Sequence, residues 1–562
     1  MPNLITSARR LALSVVLVGA ALVAGCGDDD RPVLPPDGGG VDAGEVDANV
    51  SDADLGTGVD AGVIDSGASD IDAGGDAGST PDGGPLGSVT ASAGEVLRAG
   101  TANLLLRGIV LTPTGVLDPG EVLVVGNTIT CVAADCSATT GADAATLIDT
   151  HGVISPGLID SHNHLAYNFL GEWIPPTLYT DRDMWRDNAS YEAFIAPYSA
   201  VRPVPSATNC PASKWGELRS IVHGTTTVLG GSAQLGCANV FVRNADHYDG
   251  IGNEQLTTRV ASAREVTDDE AAGFVDRFTR ASPLTRLAVH MAEGTDPLLQ
   301  REFDSFAGRD PRANRHNGIS LLSGPGYVGT GVLIHSVPLT TAQLMEADDT
   351  QSKMVWSPSS NIALYGATAD VGEWLALGLT VGLGPDWTPS GEDDMLGELR
   401  YARAYGRTVG ITELTSQRLW QMATDDGADV VGLSSSIGHL VVGARADITV
   451  IGRTGGDPYD AIIDADARDV RLTIIDGRAY YGDLALEAAT AVNTSCEDFD
   501  ACGTAKFLCV QGVPQTQAGA INRTDETLED VRMQLLTLLA GYNDPTGVRR
   551  TDLLPLASEC AP

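Results

Sequence analysis

From residue 91 onward, short apolar runs alternate with polar or glycine-bearing breaks. Residues 104–111 and 121–125 have the aliphatic, β-branched content of strands. Gly126-Asn127 supplies a turn into 128–132. A β unit over 91–155 is therefore expected. Between 156 and 435 the pattern changes. Apolar runs at 226–229, 287–289, 331–334, 353–356 and 379–383 are separated by helix-like segments. Strand–helix alternation over this length predicts an α/β fold, a parallel (β/α)8 TIM barrel. Strand patterns return at 447–451 and 471–475. Residues 436–485 are thus expected to complete the first β unit as a composite β-sandwich. Residues 486–562 form a cysteine-bearing C-terminal extension with one helix-like stretch near 527–542.

The first 90 residues follow neither pattern. Arg9 and Arg10 precede an apolar run at 11–24, which is short for a bilayer span. The run ends in Val23-Ala24-Gly25-Cys26, similar to a bacterial lipobox. That similarity implies a lipoprotein signal peptide over 1–26 and lipid on Cys26. The chain would then be exported and anchored to the bacterial cell envelope. Residues 27–90 are rich in Asp, Gly and Ala, with few large apolar residues. Such a segment cannot bury enough surface to offset its ordering entropy and reads as a disordered tether.

Charge narrows the partners. The formal net charge is −39, and residues 27–85 hold 15 acidic residues against one arginine. An acidic body repels phosphate polymers, so nucleic acid is not an expected partner. Apart from Cys26, eight cysteines remain, an even number that suits disulfides in an exported protein. Proximity pairs Cys131 with Cys136 and Cys210 with Cys237, and leaves Cys496, Cys502, Cys509 and Cys560 to pair among themselves. No CxxC spacing points to a cysteine metal site.

The chemistry concentrates at the ends of the apolar runs. Pro156-Gly157-Leu158-Ile159-Asp160-Ser161-His162-Asn163-His164 is a strand-like run closing on His-x-His. Alternate side chains of a strand share a face, so His162 and His164 project together and can grip one cation. His290 follows 287–289, His335 follows 332–334, and Asp386 follows 381–385. A barrel places its catalytic groups at such positions.

These motifs, with Gly224-Thr225-Thr226-Thr227-Val228, His290-Met291-Ala292-Glu293, Leu333-Ile334-His335-Ser336, Ser357-Pro358-Ser359-Ser360-Asn361 and Gly382-Leu383-Gly384-Pro385-Asp386, resemble the amidohydrolase superfamily. The chain looks most like the branch holding cytosine, guanine and S-adenosylhomocysteine deaminases and triazine chlorohydrolases. A late signature, Ile437-Gly438-His439-Leu440 through Gly443-Ala444-Arg445-Ala446-Asp447, also matches. The resemblance covers about 95–485. It implies one divalent metal, zinc or iron, on His162, His164, His290 and Asp386. It implies Glu293 as proton shuttle, His335 as the group that orients the water or polarises substrate, and Asp386 as catalytic as well as ligating. Binuclear branches use a carboxylated lysine; Lys214 and Lys353 do not fit that place, which favours one metal. Pro385 and Ser357 depart from the branch pattern. Asn361, Trp387, Tyr167 and Trp173 are candidate substrate contacts. His151, His223, His247, His316 and His439 carry no such signal.

The expected function is hydrolysis of a carbon–nitrogen bond other than a peptide bond in a small-molecule substrate. Deamination of a nitrogen heterocycle leads, and hydrolysis of a cyclic or linear amide is the alternative. A rival of another class is a non-catalytic surface-binding lipoprotein. The sequence leaves a homo-oligomer open.

Overall fold

The computed structural model describes residues 89–90, 92–201, 210–230, 241–245, 255–263, 266–281, 283–309, 318–454, 456–512, 526–540 and 553–558. The expected signal peptide, Cys26 and the tether as far as residue 88 lie outside the described residues. So do Cys237, His247, His316 and Cys560.

The N-terminal flank supplies β1 (Glu95–Arg98), β2 (Thr101–Thr112), β3 (Gly115–Val125), β4 (Thr128–Ala133) and β5 (Ala145–Pro156). Then come β6 (Leu158–Asp160), β7 (Thr225–Val228), β8 (Arg243–Asn244), β9 (Gln255–Ser262), β10 (Leu284–Met291), β11 (Gly331–His335), β12 (Lys353–Trp356) and β13 (Val381–Leu383). The C-terminal flank supplies β14 (Ile448–Ile451), β15 (Val470–Ile475), β16 (Arg478–Asp483), β17 (Glu497–Ala501) and β18 (Thr504–Leu508).

Both flanks share one ten-stranded sheet in the order β17-β18-β16-β15-β14-β5-β2-β3-β4, with β1 also on β5. The join is β14 against β5, from Ile448 opposite Pro156 to Ile451 opposite Val153. Strands β2 and β3 carry consecutive buried runs, Leu104 to Leu106 and Gly120 to Val124, and β14 and β15 are buried at every position. Strands β17 and β18 extend this sheet, because β18 pairs with β16. The Cys496–Cys509 disulfide ties the ends of that hairpin. Cys131 and Cys136 are bonded to each other as proximity suggested, and Cys210 and Cys502 are also disulfide-bonded.

Between the flanks the pairing is parallel. One sheet runs β6-β7-β8 and another β9-β10-β11-β12-β13. Strand β11 is buried throughout and β10 nearly so, as expected where both faces are covered. Ile159, Ala288, Val332, Ile334 and Val355, from four of these strands, meet Val430 in one apolar cluster. A buried guanidinium braces this region against the flanking sheet. Arg243 of β8 reaches Asp447 Oδ2 at 2.6 Å and Asp476 Oδ1 at 2.7 Å.

The helices that matter below are α1 (Arg182–Arg186), α2 (Pro211–Val222), α3 (Pro358–Tyr365), α4 (Met395–Val409) and α5 (Leu528–Ala540). The C-terminal extension docks on α2. Lys214 there pairs with Glu526, and Arg219 donates to Pro555 O and to Ser558 Oγ.

The two parallel sheets are stitched along one edge. Ser161 N donates to Leu383 O (2.9 Å), Asp386 N to His162 O (3.0 Å) and His164 N to Asp386 O (2.7 Å). Gly384 makes this approach feasible: a Cβ there would lie 2.5 Å from His162 N and 2.7 Å from His162 O. Backbone cannot yield to a methyl group cheaply, and such overpacking costs about 1–3 kcal/mol. Gly384→Ala should therefore lower the Tm by several degrees in a melting scan and weaken metal retention. A variant with wild-type Tm and metal content would show that the seam tolerates the methyl.

Candidate metal centre and its surroundings

Strand ends build the centre. His162 and His164 follow β6, His290 lies in β10, His335 closes β11, and Asp386 follows β13. Asp386 and His335 adopt φ of 73° and 70°, and Ala292 and Ser336 are also left-handed. Positive φ is costly for residues with a Cβ, and such strain gathers where side chains are aimed for function.

His162, His290, His335 and Asp386 are buried, and one ligand atom from each lies within 4.8 Å of the others. His162 Nε2 is 2.9 Å from Asp386 Oδ1, and His164 Nε2 is 3.4 Å from the same oxygen. The His164 ring stacks on His290 with centroids 5.5 Å apart. All five expected residues thus meet, with His335 inside the tight group of four and His164 at its margin.

This set fits a divalent cation. The Nδ1 of His162 is buried without a hydrogen bond, and its Nε2 faces only the Asp386 carboxylate. Loss of water pushes the imidazoles of His162 and His290 down, and His335 down to about 3, so the rings are neutral. Burial works to raise the Asp386 carboxyl, yet the neighbouring His162, His164 and His335 hold it well below the usual range. Neutral imidazoles around an ionised carboxylate are what zinc or iron binds.

A surrounding layer orients these groups. Asp386 Oδ2 accepts from Ser360 Oγ at 2.7 Å. Ser390 Oγ lies 2.8 Å from Ser360 Oγ and accepts from Trp387 Nε1 at 2.6 Å. Behind it, burial pushes the Glu398 carboxyl up to about 8, and Ser359 N and Oγ both donate to it. Asp160 accepts from His162 N (3.1 Å) and Asn163 Nδ2 (2.7 Å), and Asn168 Nδ2 donates to Asn163 Oδ1 (2.9 Å). Burial raises Asp160 well above an ordinary carboxyl. Thr368 Oγ1 donates to Asn361 Oδ1, which turns Asn361 Nδ2 toward His335 Nδ1 at 3.0 Å. His335 therefore accepts on Nδ1 and carries its proton on Nε2, the nitrogen facing Glu293 Oε2 at 3.7 Å.

The candidate substrate contacts separate. Trp387 and Tyr167 stand beside His164, with ring centroids 5.7 and 6.2 Å away. Asn361 is buried and engages both ends of its amide with His335 and Thr368, so it acts on the histidine and not on a substrate. Trp173 packs one rank back, against Tyr191 and Tyr179. Asp160 and Ser360 lay inside quoted motifs without a role, and Glu398, Arg182, Trp185 and Tyr365 carried no motif signal. Lys353 pairs with Asp429, which with the Lys214–Glu526 pair leaves neither lysine at the centre. His223 sits between Arg219 O and Asp394, and His151 and His439 lie beside Asp149 and Asp425.

Elemental analysis of the purified full-length protein should find about one equivalent of zinc or iron. His162→Ala should lose it, and chelation should lower the Tm of the wild type. Two equivalents would point to a binuclear centre.

Residues 319–480 match the amidohydrolase family. The chain is 26% identical over 414 residues to a 5-methylthioadenosine/S-adenosylhomocysteine deaminase of Desulfitobacterium hafniense, covering 67% of this chain and 93% of that protein. It is 24% identical over 418 residues to a 5'-deoxyadenosine deaminase of Methanothermobacter thermautotrophicus, covering 68% and 94%. Among solved structures, it resembles a zinc-bound adenosine deaminase from Xanthomonas campestris (TM-score 0.51, 17% identity, 67% of this chain and 92% of that one). It also resembles a zinc complex of an atrazine chlorohydrolase from Arthrobacter aurescens (TM-score 0.50, 17% identity, 77% and 99%).

Proposed function

We propose that this chain is a metal-dependent amidohydrolase-family enzyme that hydrolyses a carbon–nitrogen bond other than a peptide bond, and that it deaminates a nitrogen heterocycle. The observation that carries this reading is the meeting of His162, His290, His335 and Asp386 within 4.8 Å, with Glu293 at 3.7 Å from His335. The curated relatives named as deaminases support the choice of reaction. The fold in this reading is a closed (β/α)8 barrel with a composite β-sandwich. It is supported by a three- and a five-stranded parallel sheet stitched at β6 and β13, and by a sheet shared between both flanks.

His162, His164, His290 and Asp386 would hold the metal, which when bound makes water acidic enough to attack at neutral pH. Glu293 takes the proton of the attacking water and returns it to the departing nitrogen. His335 directs Nε2–H at the charge that develops on the substrate, with its tautomer held by Asn361. Trp387 and Tyr167 place aromatic rings edge-on beside His164, an apolar wall that suits a planar heterocycle. A cyclic or linear amide is the second reading, since the same groups serve attack at an amide carbon.

Ammonia release should be screened with 5'-methylthioadenosine, S-adenosylhomocysteine, 5'-deoxyadenosine, adenosine, guanine and simple cyclic amides. Glu293→Gln should cut kcat by about 10²–10⁴ while metal stays bound. Tight binding of these compounds without turnover, unchanged in Glu293→Gln, would favour a binding protein instead.

We further read the chain as an exported lipoprotein, on the strength of Val23-Ala24-Gly25-Cys26 and the acidic stretch after it. Expressed in a bacterial host and fed labelled palmitate, the chain should incorporate label. Cys26→Ser should abolish it, and equal labelling of both would end this reading.

A further inference from the structure

The segment around α1 does more than cover the centre. It is clamped to the end of β10: Arg182 N donates to Glu293 O (3.2 Å), and Thr295 N and Asp296 N donate to Thr180 O (2.9 and 3.0 Å). Two side chains from α1 then address Glu293. Arg182 Nε lies 3.4 Å from Glu293 Oε2. Trp185 Nε1 donates to Tyr365 Oη at 2.7 Å, and Tyr365 Oη donates to Glu293 Oε1 at 2.7 Å. Trp185 and Tyr365 are buried, as is Glu293.

The direction of this chain is forced. An indole N–H can only donate, and a phenol has a single proton. Because Tyr365 Oη accepts from Trp185, its proton points at Glu293 Oε1. That oxygen is then an acceptor. Because Oε1 keeps accepting from Tyr365, a proton taken up by the carboxyl is favoured on Oε2, the oxygen that faces Arg182 Nε at 3.4 Å and His335 Nε2 at 3.7 Å.

We propose that Tyr365, held by Trp185, is a positioning residue that assigns the mobile proton of Glu293 to Oε2. The inference rests on the hydrolase reading above. In the forward step an O–H bond of the attacking water breaks, Oε2–H forms, the water oxygen bonds to the substrate carbon, and the π pair of that carbon moves onto the neighbouring ring nitrogen or carbonyl oxygen. Oε2–H then breaks as N–H forms on the departing nitrogen, the displaced pair returns to re-form the π bond as the carbon–nitrogen bond breaks, and the carboxylate is restored. Tyr365 changes no bond in either step. Burial and the nearby Glu293 keep its hydroxyl protonated, as a permanent donor must be. Were the phenol only filling space, the ring alone would suffice and Tyr365→Phe would be silent.

Tyr365→Phe removes the hydroxyl and keeps the ring. Its kcat should fall about tenfold to a hundredfold, the scale of a misplaced catalytic group. KM should stay within about twofold and metal content should be unchanged. Trp185→Phe should lower kcat less, since the phenol survives but is free to turn. A Tyr365→Phe enzyme with kcat within twofold of wild type overturns the proposal. A second measurement needs no substrate. In metal-stripped protein, the Tm lost on Tyr365→Phe should shrink when the change is made in Glu293→Ala. Equal losses in both backgrounds would mean the two groups are uncoupled and would overturn it too. If the wild type turns over none of the panel, the hydrolase reading fails by itself, while the melting cycle still decides whether Tyr365 holds Glu293.

Discussion

The contact between the ends of β6 and β13 is the constraint on which the rest depends. Three main-chain hydrogen bonds join residues 161–164 to residues 383–386. They bring a His-x-His pair face to face with Asp386 across more than two hundred residues of chain. Main-chain bonds are strong, directional and obligatory where water is excluded. A side-chain contact alone would leave the ligands free to drift. Gly384 is the local condition for this approach, and Asp160 reinforces it by accepting from the His162 amide.

Burying this much polarity is expensive unless each group is answered. Ser360 answers Asp386, Asn361 answers His335, Asn163 answers Asp160, and Tyr365 answers Glu293. Each partner has a partner of its own, so orientation is handed outward until it reaches α3, α4 or the segment around α1. Such doubly supported groups hold donors and acceptors in place before a substrate arrives, which is how fixed dipoles lower a barrier. The left-handed backbone at Asp386 and His335 has the same origin. The turn that ends each strand is strained so that the side chain aims inward.

The flanking sheet contributes at a distance. Strand β14 pairs with β5, which leads straight into β6 and the first histidines. Arg243, wholly buried between Asp447 and Asp476, ties the end of β8 to the same flank. Removing one member of such a buried pair typically costs about 3–5 kcal/mol, because the remaining charge stays in a dry setting. The C-terminal extension reaches α2 through Lys214 and Arg219, so its cysteines and helix belong to the packing of the body.

The sequence by itself determined the strand–helix alternation and the placing of His162, His164, His290, His335 and Asp386 at strand ends, because period and chain order are local properties. It also determined the neighbouring disulfide at Cys131 and Cys136, since five residues of separation leave little freedom. Tyr167 and Trp387 could be read as wall residues because they lie within three residues of a ligand. Only the tertiary structure decided the rest. Asn361 has the same local signature as a substrate contact, yet three-dimensional placement gives its amide to His335. Trp173 looks like Trp387 in the sequence but is turned into a second rank of rings. Glu293 is legible from its spacing to His290, whereas Tyr365, Trp185 and Arg182 are not. They come from segments 72, 108 and 111 residues away, and no spacing rule links a donor to an acceptor across separate loops. Local pattern names the groups that do chemistry, and only the folding of distant segments together names the groups that orient them.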